Sequence, residues 1–378
     1  MCYTFIAKYH VKTVFGEVKM PGIIWNRELP LLFKHHESLQ ESIPWTPLVE
    51  QATPVERLDA LSREAGADIW VKRDDLTSPV YGGNKVRKLE FLLAHAQRKG
   101  SKALITMGAL GTNHGLATAM FGKKAGLDVV LKLTDQPVNE HVLQNLRLFA
   151  SLGAKMDYCG GASGTVWSYY IAHRLQNAGG YYIPAGGSNS RGVLGYVEAG
   201  LEIADQVSQG VLPRPKKVFV AAGTCGTLAG LTLGFSLAGM KTSVHGVRVT
   251  PTYMANRNKV MGLALRSHAL LKYHGAKIPE FRSNAGSLEI DSRQYGAGYG
   301  HETPQGQRAV SMAWDLEGVK LDPTYTGKTF AAVLDEAPKA KGPVLFINTF
   351  NSVDMTDQAE AVAPDSLPKP LAQFFPAA

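Results

Sequence analysis

The sequence predicts an α/β protein built on parallel or mixed open sheets flanked by helices, and three observations carry that expectation. From residue 67 onward, short apolar or β-branched runs alternate with segments of helical period, the pattern of strands joined by crossover helices. Several predicted strands run into turns rich in Gly, Ser and Thr that open directly into helices, as at the ligand-binding ends of such sheets. The chain has 378 residues, 45% of them hydrophobic and 19% charged, enough core for two domains and unlike a disordered or fibrous chain.

Taken in order, residues 1–43 hold aromatics and prolines without a sustained period and are expected to form an irregular extension. A capping signal at 53–58 predicts a short helix, and 67–73 a strand that runs into Asp74-Asp75. The next helix is expected to open on Asn84 as its N-cap, with Val86, Leu89, Leu92, Leu93 and Ala96 at helical spacing behind it. Further strands are expected at 103–106, 129–133, 155–158, 181–184, 217–221, 243–249 and 344–347. Helices are expected at 113–124, 138–151, 166–177, 193–209, 226–238, 251–273 and 304–318. Residues 274–300 read as irregular, and the Pro- and Ala-rich tail after Glu360 as a loosely attached end.

The net charge of +8 is spread over small groups such as Lys72-Arg73, Lys123-Lys124 and Lys216-Lys217, with no basic tail or arginine-rich arm. Nucleic acid is therefore not an expected partner, and a mild preference for small anions is. No run of about 18 apolar residues predicts a membrane span, and the first 25 residues carry no secretory pattern. Cys2, Cys159 and Cys225 have neither metal-ligand nor CxxC spacing, which suits a reducing compartment, with the cytoplasm as the expectation.

Chemistry gathers in four places. In Tyr81-Gly82-Gly83-Asn84-Lys85, Lys85 falls in the first turn of a helix, near its positive end, where a neutral amine able to condense with a carbonyl is more accessible. Gly223-Thr224-Cys225-Gly226-Thr227 follows a strand and opens a helix, so small residues leave backbone donors open to a phosphate. No Walker lysine or GxGxxG accompanies it, which leaves a phosphate that is not a nucleotide's. Thr112-Asn113-His114 offers a hydroxyl, an amide and a helix start suited to a carboxylate, and Pro184 to Gly192, with Gly187 at its centre, is a loop of the same type. Tyr299 and Tyr325 lie in polar, glycine-rich segments where a phenol can serve as a proton donor. Singly, each feature is also what an ordinary turn, packed tyrosine or surface lysine looks like. Jointly, a lysine for an aldehyde, a cradle for a phosphate and a seat for a carboxylate point to pyridoxal 5'-phosphate and a small amino-acid substrate.

With these residues assembled, the chain resembles the pyridoxal-phosphate-dependent family of D-cysteine desulfhydrase and 1-aminocyclopropane-1-carboxylate deaminase, from about Pro47 to Phe350. The anchors are Lys72-Arg73-Asp74-Asp75-Leu76, Gly82 to Glu90, Thr112-Asn113-His114, Pro184 to Gly195, Gly223 to Gly230 and Asp322 to Lys328. The resemblance implies the two-domain tryptophan-synthase β-like fold, fold type II. Residues 1–87 and 197–378 would form the large cofactor-binding domain and 88–196 a small inserted α/β domain. It implies Lys85 as the Schiff-base lysine beside Asn84, Asn113 beside the ring hydroxyl, and Thr112 in place of a serine that meets the substrate carboxylate. Gly223, Thr224, Cys225, Gly226 and Thr227 would cradle the phosphate, with Cys225 replacing a usual glycine or serine. His114 and Gly187 would flank the substrate, and Tyr299 and Tyr325 match two active-site tyrosines of the deaminases.

Three departures bear on the reaction. Thr112 keeps a serine's hydroxyl but adds a methyl and stiffens χ1. Thr326 stands where the deaminases carry a glutamate beside the pyridine nitrogen. Asn348 to Ser352 replaces a His-Thr-Gly-Gly-like segment and leaves Thr349 to approach that nitrogen. A weaker electron sink favours elimination, so the implied enzyme is a lyase that releases ammonia and pyruvate from an amino acid with a leaving group on Cβ. Ring-opening deamination and β-replacement are the alternatives on the same scaffold, and Cys225 with Asn348 to Ser352 leaves open a non-catalytic cofactor-binding protein. A homodimer is implied by the resemblance alone.

Overall fold

Two open sheets organise the chain, and their strands end on a common cleft. The computed structural model describes residues 29–161, 163–164, 168–169, 179–281 and 287–375. Residues 1–28 and almost all of the helix expected over 166–177 lie outside these. The chain begins with two short helices, α1 (Leu31–His35) and α2 (Ser38–Ser42), then β1 (Val55–Arg57), α3 (Asp59–Ala65), β2 (Ile69–Lys72) and α4 (Asn84–Arg98). A parallel section follows: β3 (Ala103–Ala109), α5 (Asn113–Lys124), β4 (Asp128–Thr134), α6 (Glu140–Ser151), β5 (Lys155–Tyr158) and β6 (Gly180–Ile183). The rest comprises α7 (Leu194–Ser208), β7 (Lys217–Ala222), α8 (Gly226–Leu237), β8 (Ser243–Arg248), α9 (Arg257–Tyr273), β9 (Leu288–Asp291), α10 (Pro304–Glu317), α11 (Thr326–Glu336), β10 (Val344–Ile347), α12 (Thr356–Glu360) and α13 (Lys369–Ala372).

One sheet has six strands in the order β1-β2-β10-β7-β8-β9, the other four in the order β5-β4-β3-β6. Every pairing is parallel except β1 with β2. The central strands β7 and β10 are almost continuously apolar, as strands covered on both faces must be. One core cluster packs α7 and α8 against the six-stranded sheet; another joins α4, α5 and α6 to the four-stranded sheet. Among the described residues no helix is long and apolar enough to cross a membrane.

The structure corrects several local expectations. Residues 55–57 form an edge strand, not a helix, because Val55, Glu56 and Arg57 pair with Lys72, Val71 and Trp70 and the open side of β2 outweighs local propensity. The start of the 251–273 segment is a turn, and α9 opens only at Asn256, whose side chain accepts a bond from Lys259 N at 2.9 Å. Strand β9 lies in the stretch expected to be irregular, and α11 follows the Tyr325 loop. Within residues 31–42 the chain forms two short helices, and the carboxylate of Glu198 accepts from the Leu31 and Leu32 amides at 2.9 Å each. The tail is docked: Leu367, Leu371 and Phe375 are buried in the α4–α5–α6 cluster, with the Arg147 guanidinium 5.2 Å from the Phe375 ring.

Candidate active site

The loops that leave the carboxyl ends of β2, β3, β6, β7 and β10 meet in the cleft between the sheets, where open α/β sheets place their ligands. At the start of α4 the N-cap is Gly83, one residue before the expected Asn84. Gly83 has φ +94°, a conformation that favours glycine, and an added Cβ would lie 2.8 Å from Thr349 O. The loop after β10 can therefore close on the helix start, where Asn84 N donates to Thr349 O at 3.3 Å. Displaced into the first turn, Asn84 serves as a bridge. Its Oδ1 accepts from Lys85 Nζ at 2.7 Å and its Nδ2 donates to Thr227 Oγ1 at 3.0 Å. Burial lowers the Lys85 amine to about 8, against the opposing pull of Asp322.

Opposite Lys85, the turn after β7 runs from Gly223 to Thr227 into α8. Its Cys225 is held at φ +70°, which explains why glycine suits this position. Thr224 Oγ1 lies 2.7 Å from Ser188 Oγ, and Thr250 Oγ1 donates to Gly223 O at 2.9 Å, so neighbouring loops fix the turn. A Cβ on Gly226 would come within 3.0 Å of Lys88 Nζ and would also strike Ser188 Oγ. Lys88 is fully enclosed, and its amine donates to Gly186 O at 3.0 Å. Burial, and then the charge of Lys85, push this amine well below its ordinary value. His114 lies on the same side: its ring is buried beside Gly187 and the Lys88 stem, and its Nε2 is 3.0 Å from Thr106 Oγ1.

The far side of Lys85 is lined by hydroxyls and amides. Thr112 caps α5, accepting from Gly115 N at 3.2 Å. Asn113 follows it, its carbonyl accepting from Tyr81 Oη at 3.3 Å. The hydroxyls of Tyr299 and Tyr325 are 2.6 Å apart, and Lys85 Nζ is 5.9 Å from the centre of the Tyr325 ring. Both phenols are pushed up by burial. A cavity opens between this pair and the other sheet, lined by Asn113, Gln136, His141, Asp322, Tyr299 and Tyr325. Thr326 is fully buried behind it, with its hydroxyl donating to Asp322 Oδ2 at 2.7 Å and accepting from Asp322 N at 2.7 Å.

The pyridoxal-phosphate-dependent enzyme family model matches residues 47–349. The chain belongs to this family. A D-cysteine desulfhydrase from Klebsiella pneumoniae (strain 342) is 36% identical over 326 residues, covering 81% of this chain and 93% of that protein. A solved structure described as an ACC deaminase homologue superposes with a TM-score of 0.72 at 33% identity, covering 89% of this chain and all of that one. A fungal L-serine ammonia-lyase from Rhizomucor miehei shares the fold at a TM-score of 0.56 and 16% identity, over 82% of this chain and 97% of its own. These neighbours place the pyridoxal-phosphate-dependent enzyme in fold type II.

The buried groups fit the family's cofactor. An enclosed Lys88 amine bonded to a backbone carbonyl, beside a turn where a Cβ would intrude, matches a phosphate, whose charge would restore its proton. A lysine whose amine is lowered to about 8 matches an aldehyde. The structure brings Lys85, Asn84, Thr227, Tyr299 and Tyr325 together and sets Gly187 and His114 beside Lys88. Three residues of this enzyme were not singled out from sequence. Lys88 follows Lys85 by three positions and so shares its face of α4, a spacing that marks it. Asp322 caps α11, accepting from Thr324 N, Tyr325 N and Thr326 N at 2.9, 2.7 and 3.1 Å, and its Asp-Pro-Thr turn carries that signal. His141 reaches the cleft from α6, and nothing local marks it.

Proposed function

We propose that this enzyme is a lyase that expels the Cβ substituent of a small amino acid, as the name of its D-cysteine desulfhydrase relatives suggests. Overall, D-cysteine and water would give pyruvate, ammonia and sulfide. The observation that carries the proposal is the pairing of Lys85, its amine lowered to about 8, with the hydrogen-bonded Tyr299 and Tyr325 beside one cavity. Bound pyridoxal phosphate would supply the electron sink that stabilises negative charge at Cα. Lys88 and the Gly223–Thr227 turn would hold its phosphate, Asn84 would orient Lys85, and the Asn113 amide would face its ring hydroxyl. Lys85, as the free amine, would take the proton from Cα. The tyrosine pair, with protons retained by burial, would donate to the departing group, and Thr112 would meet the substrate carboxylate. Thr326 has no charge to hold a protonated pyridine, which supports elimination over ring opening.

The division into 1–87 with 197–378 and 88–196 is part of the same proposal, supported by the two sheets, whose strands fall one set on each side of those bounds. The homodimer rests on family resemblance, and the cytoplasmic location on cysteine usage.

The likeness to an ACC deaminase homologue favours a second reading, ring opening of the cyclopropane acid. One panel separates the two. Incubation with D-cysteine, L-cysteate and 1-aminocyclopropane-1-carboxylate, assayed for sulfide, sulfite and 2-oxobutyrate, is expected to give sulfide as the fastest product. Faster 2-oxobutyrate would overturn the elimination proposal, and no product from any of the three would favour a cofactor-binding protein without this catalysis. In Lys85→Ala, borohydride should no longer fix the cofactor to the chain and turnover should fall by about 10³-fold or more.

A further inference from the structure

We infer that His141 is a positioning residue that locks the Asn113 side chain with its oxygen turned inward and its NH₂ turned to the cofactor ring, and that Phe350 is the platform holding His141 in place. The inference rests on the proposal that Asn113 faces the cofactor. Its starting point is a carbonyl, which can only accept. Asn145 Nδ2 donates to Gly111 O at 2.8 Å, and this fixes which end of the Asn145 amide points toward α5. The same NH₂ lies 3.3 Å from Asn113 Oδ1 and 3.4 Å from His141 Nε2, and the shorter contact assigns the oxygen to that Asn113 position, because a flipped amide would set donor against donor there. That oxygen is also 3.1 Å from His141 Nε2, a shorter contact than the 3.4 Å between Asn145 Nδ2 and the same nitrogen, so the proton is assigned to Nε2, which donates to Asn113. One backbone carbonyl thus orients two amides and selects a histidine tautomer.

Burial lowers the His141 imidazole below its ordinary value, with Lys320 acting in the same direction and Asp322 opposing, so the ring is neutral and its single N–H is the one spent on Asn113. The ring leans on Phe350, with centroids 5.9 Å apart and planes at 58°. Phe350 is fixed in turn: its amide donates to Asn348 Oδ1 at 3.3 Å, and Asn348 Nδ2 donates to Lys320 O at 3.1 Å. Phe350, which stands where the expected His-Thr-Gly-Gly-like segment has a glycine, so acquires a purpose. His141 and Asn113 also line both cavities of the cleft, one facing Tyr299 and Tyr325 and the other facing Tyr81 and Phe350. His141 therefore stands in the wall of the ligand site and not in packed core.

The test titrates apo protein with pyridoxal phosphate, following bound-cofactor fluorescence and the absorption maximum. His141→Phe keeps a ring against Phe350 and removes the donor, while His141→Gln restores an N–H near the Nε2 position. His141→Phe is expected to weaken binding about three- to tenfold, the loss for one neutral hydrogen bond, and to shift the absorption maximum. His141→Gln should return both to near wild type. Asn113→Ala is the benchmark. If Asn113→Ala weakens binding and His141→Phe does not, or if His141→Gln is as impaired as His141→Phe, the positioning role is overturned. If Asn113→Ala itself binds like wild type, the proposal that Asn113 faces the cofactor fails first and the inference fails with it. Should His141→Phe not fold, His141→Met removes the same donor and is read against the same outcomes.

Discussion

On one side of α4, Arg87 is fully buried and its guanidinium makes five hydrogen bonds, to Asp74, Glu202 and Thr53, at 2.9–3.1 Å. Lys72 completes the cluster with an ion pair to Glu202 at 2.5 Å, and Tyr196 donates to Asp74 at 2.5 Å. Two cations meet two carboxylates. On the side that carries Lys85 and Lys88 there are again two enclosed basic side chains, yet their hydrogen bonds go to an amide oxygen and a backbone carbonyl. The same helix thus holds matched charge on one side and, on the other, amines without a carboxylate partner, which burial pushes toward the neutral form. Burying a charge is costly unless it is paired, so the unmatched side marks where an anion belongs, and the matched side fixes the angle at which the helix presents it.

Removing a basic side chain from each side should have opposite consequences for the protein without cofactor. Arg87→Ala leaves Asp74 and Glu202 with one cation between them and is expected to cost about 3–5 kcal/mol in urea unfolding, the loss typical of breaking a buried ion pair. A loss below about 1 kcal/mol would erase the distinction.

Lys88→Met removes a buried amine that has no carboxylate partner and keeps the apolar stem. The apo protein is expected to gain about 1–2 kcal/mol in the same unfolding assay. Its affinity for pyridoxal phosphate should fall about tenfold or more, as for loss of a charge-assisted bond to phosphate. Destabilisation of the apo protein to the extent seen in Arg87→Ala would make Lys88 another member of the structural network.

The two sides of α4 also differ in how far they could be read from sequence. The alternation of strands and helices, the glycine-rich turns and Lys85 are local signals, and the two sheets, the turn after β7 and the helix start at residue 84 follow them closely. The Arg87 cluster is assembled from residues 53, 72, 74, 87, 196, 202 and 206, which no local period connects. His141 and Phe350 meet only because α6 and the loop after β10 fold onto one cleft. Edge strand β1 and the docked tail were missed for the same reason: the partner that decides each lies far away in sequence.

The finest contrast is in protonation. Burial holds the Lys85 amine at about 8, below its ordinary 10.5, while Asp322 pulls it upward. Only the neutral amine attacks an aldehyde, so the rate at which apo protein captures pyridoxal phosphate should rise about tenfold per pH unit below 8 and level off above it. The linkage has the matching sign: the unfolded lysine holds its proton to a higher pH than the folded one, so apo stability should rise with pH from about 8 to about 10.4. Stopped-flow absorbance between pH 6.5 and 9.5 measures the midpoint of capture. Asp322→Asn keeps a side-chain oxygen to cap α11 but removes the charge, so the midpoint should move below that of the wild type. A midpoint near that of a free lysine would mean that the cleft leaves Lys85 an ordinary cation, and the contrast between the two sides of α4 would then rest on Lys88 alone.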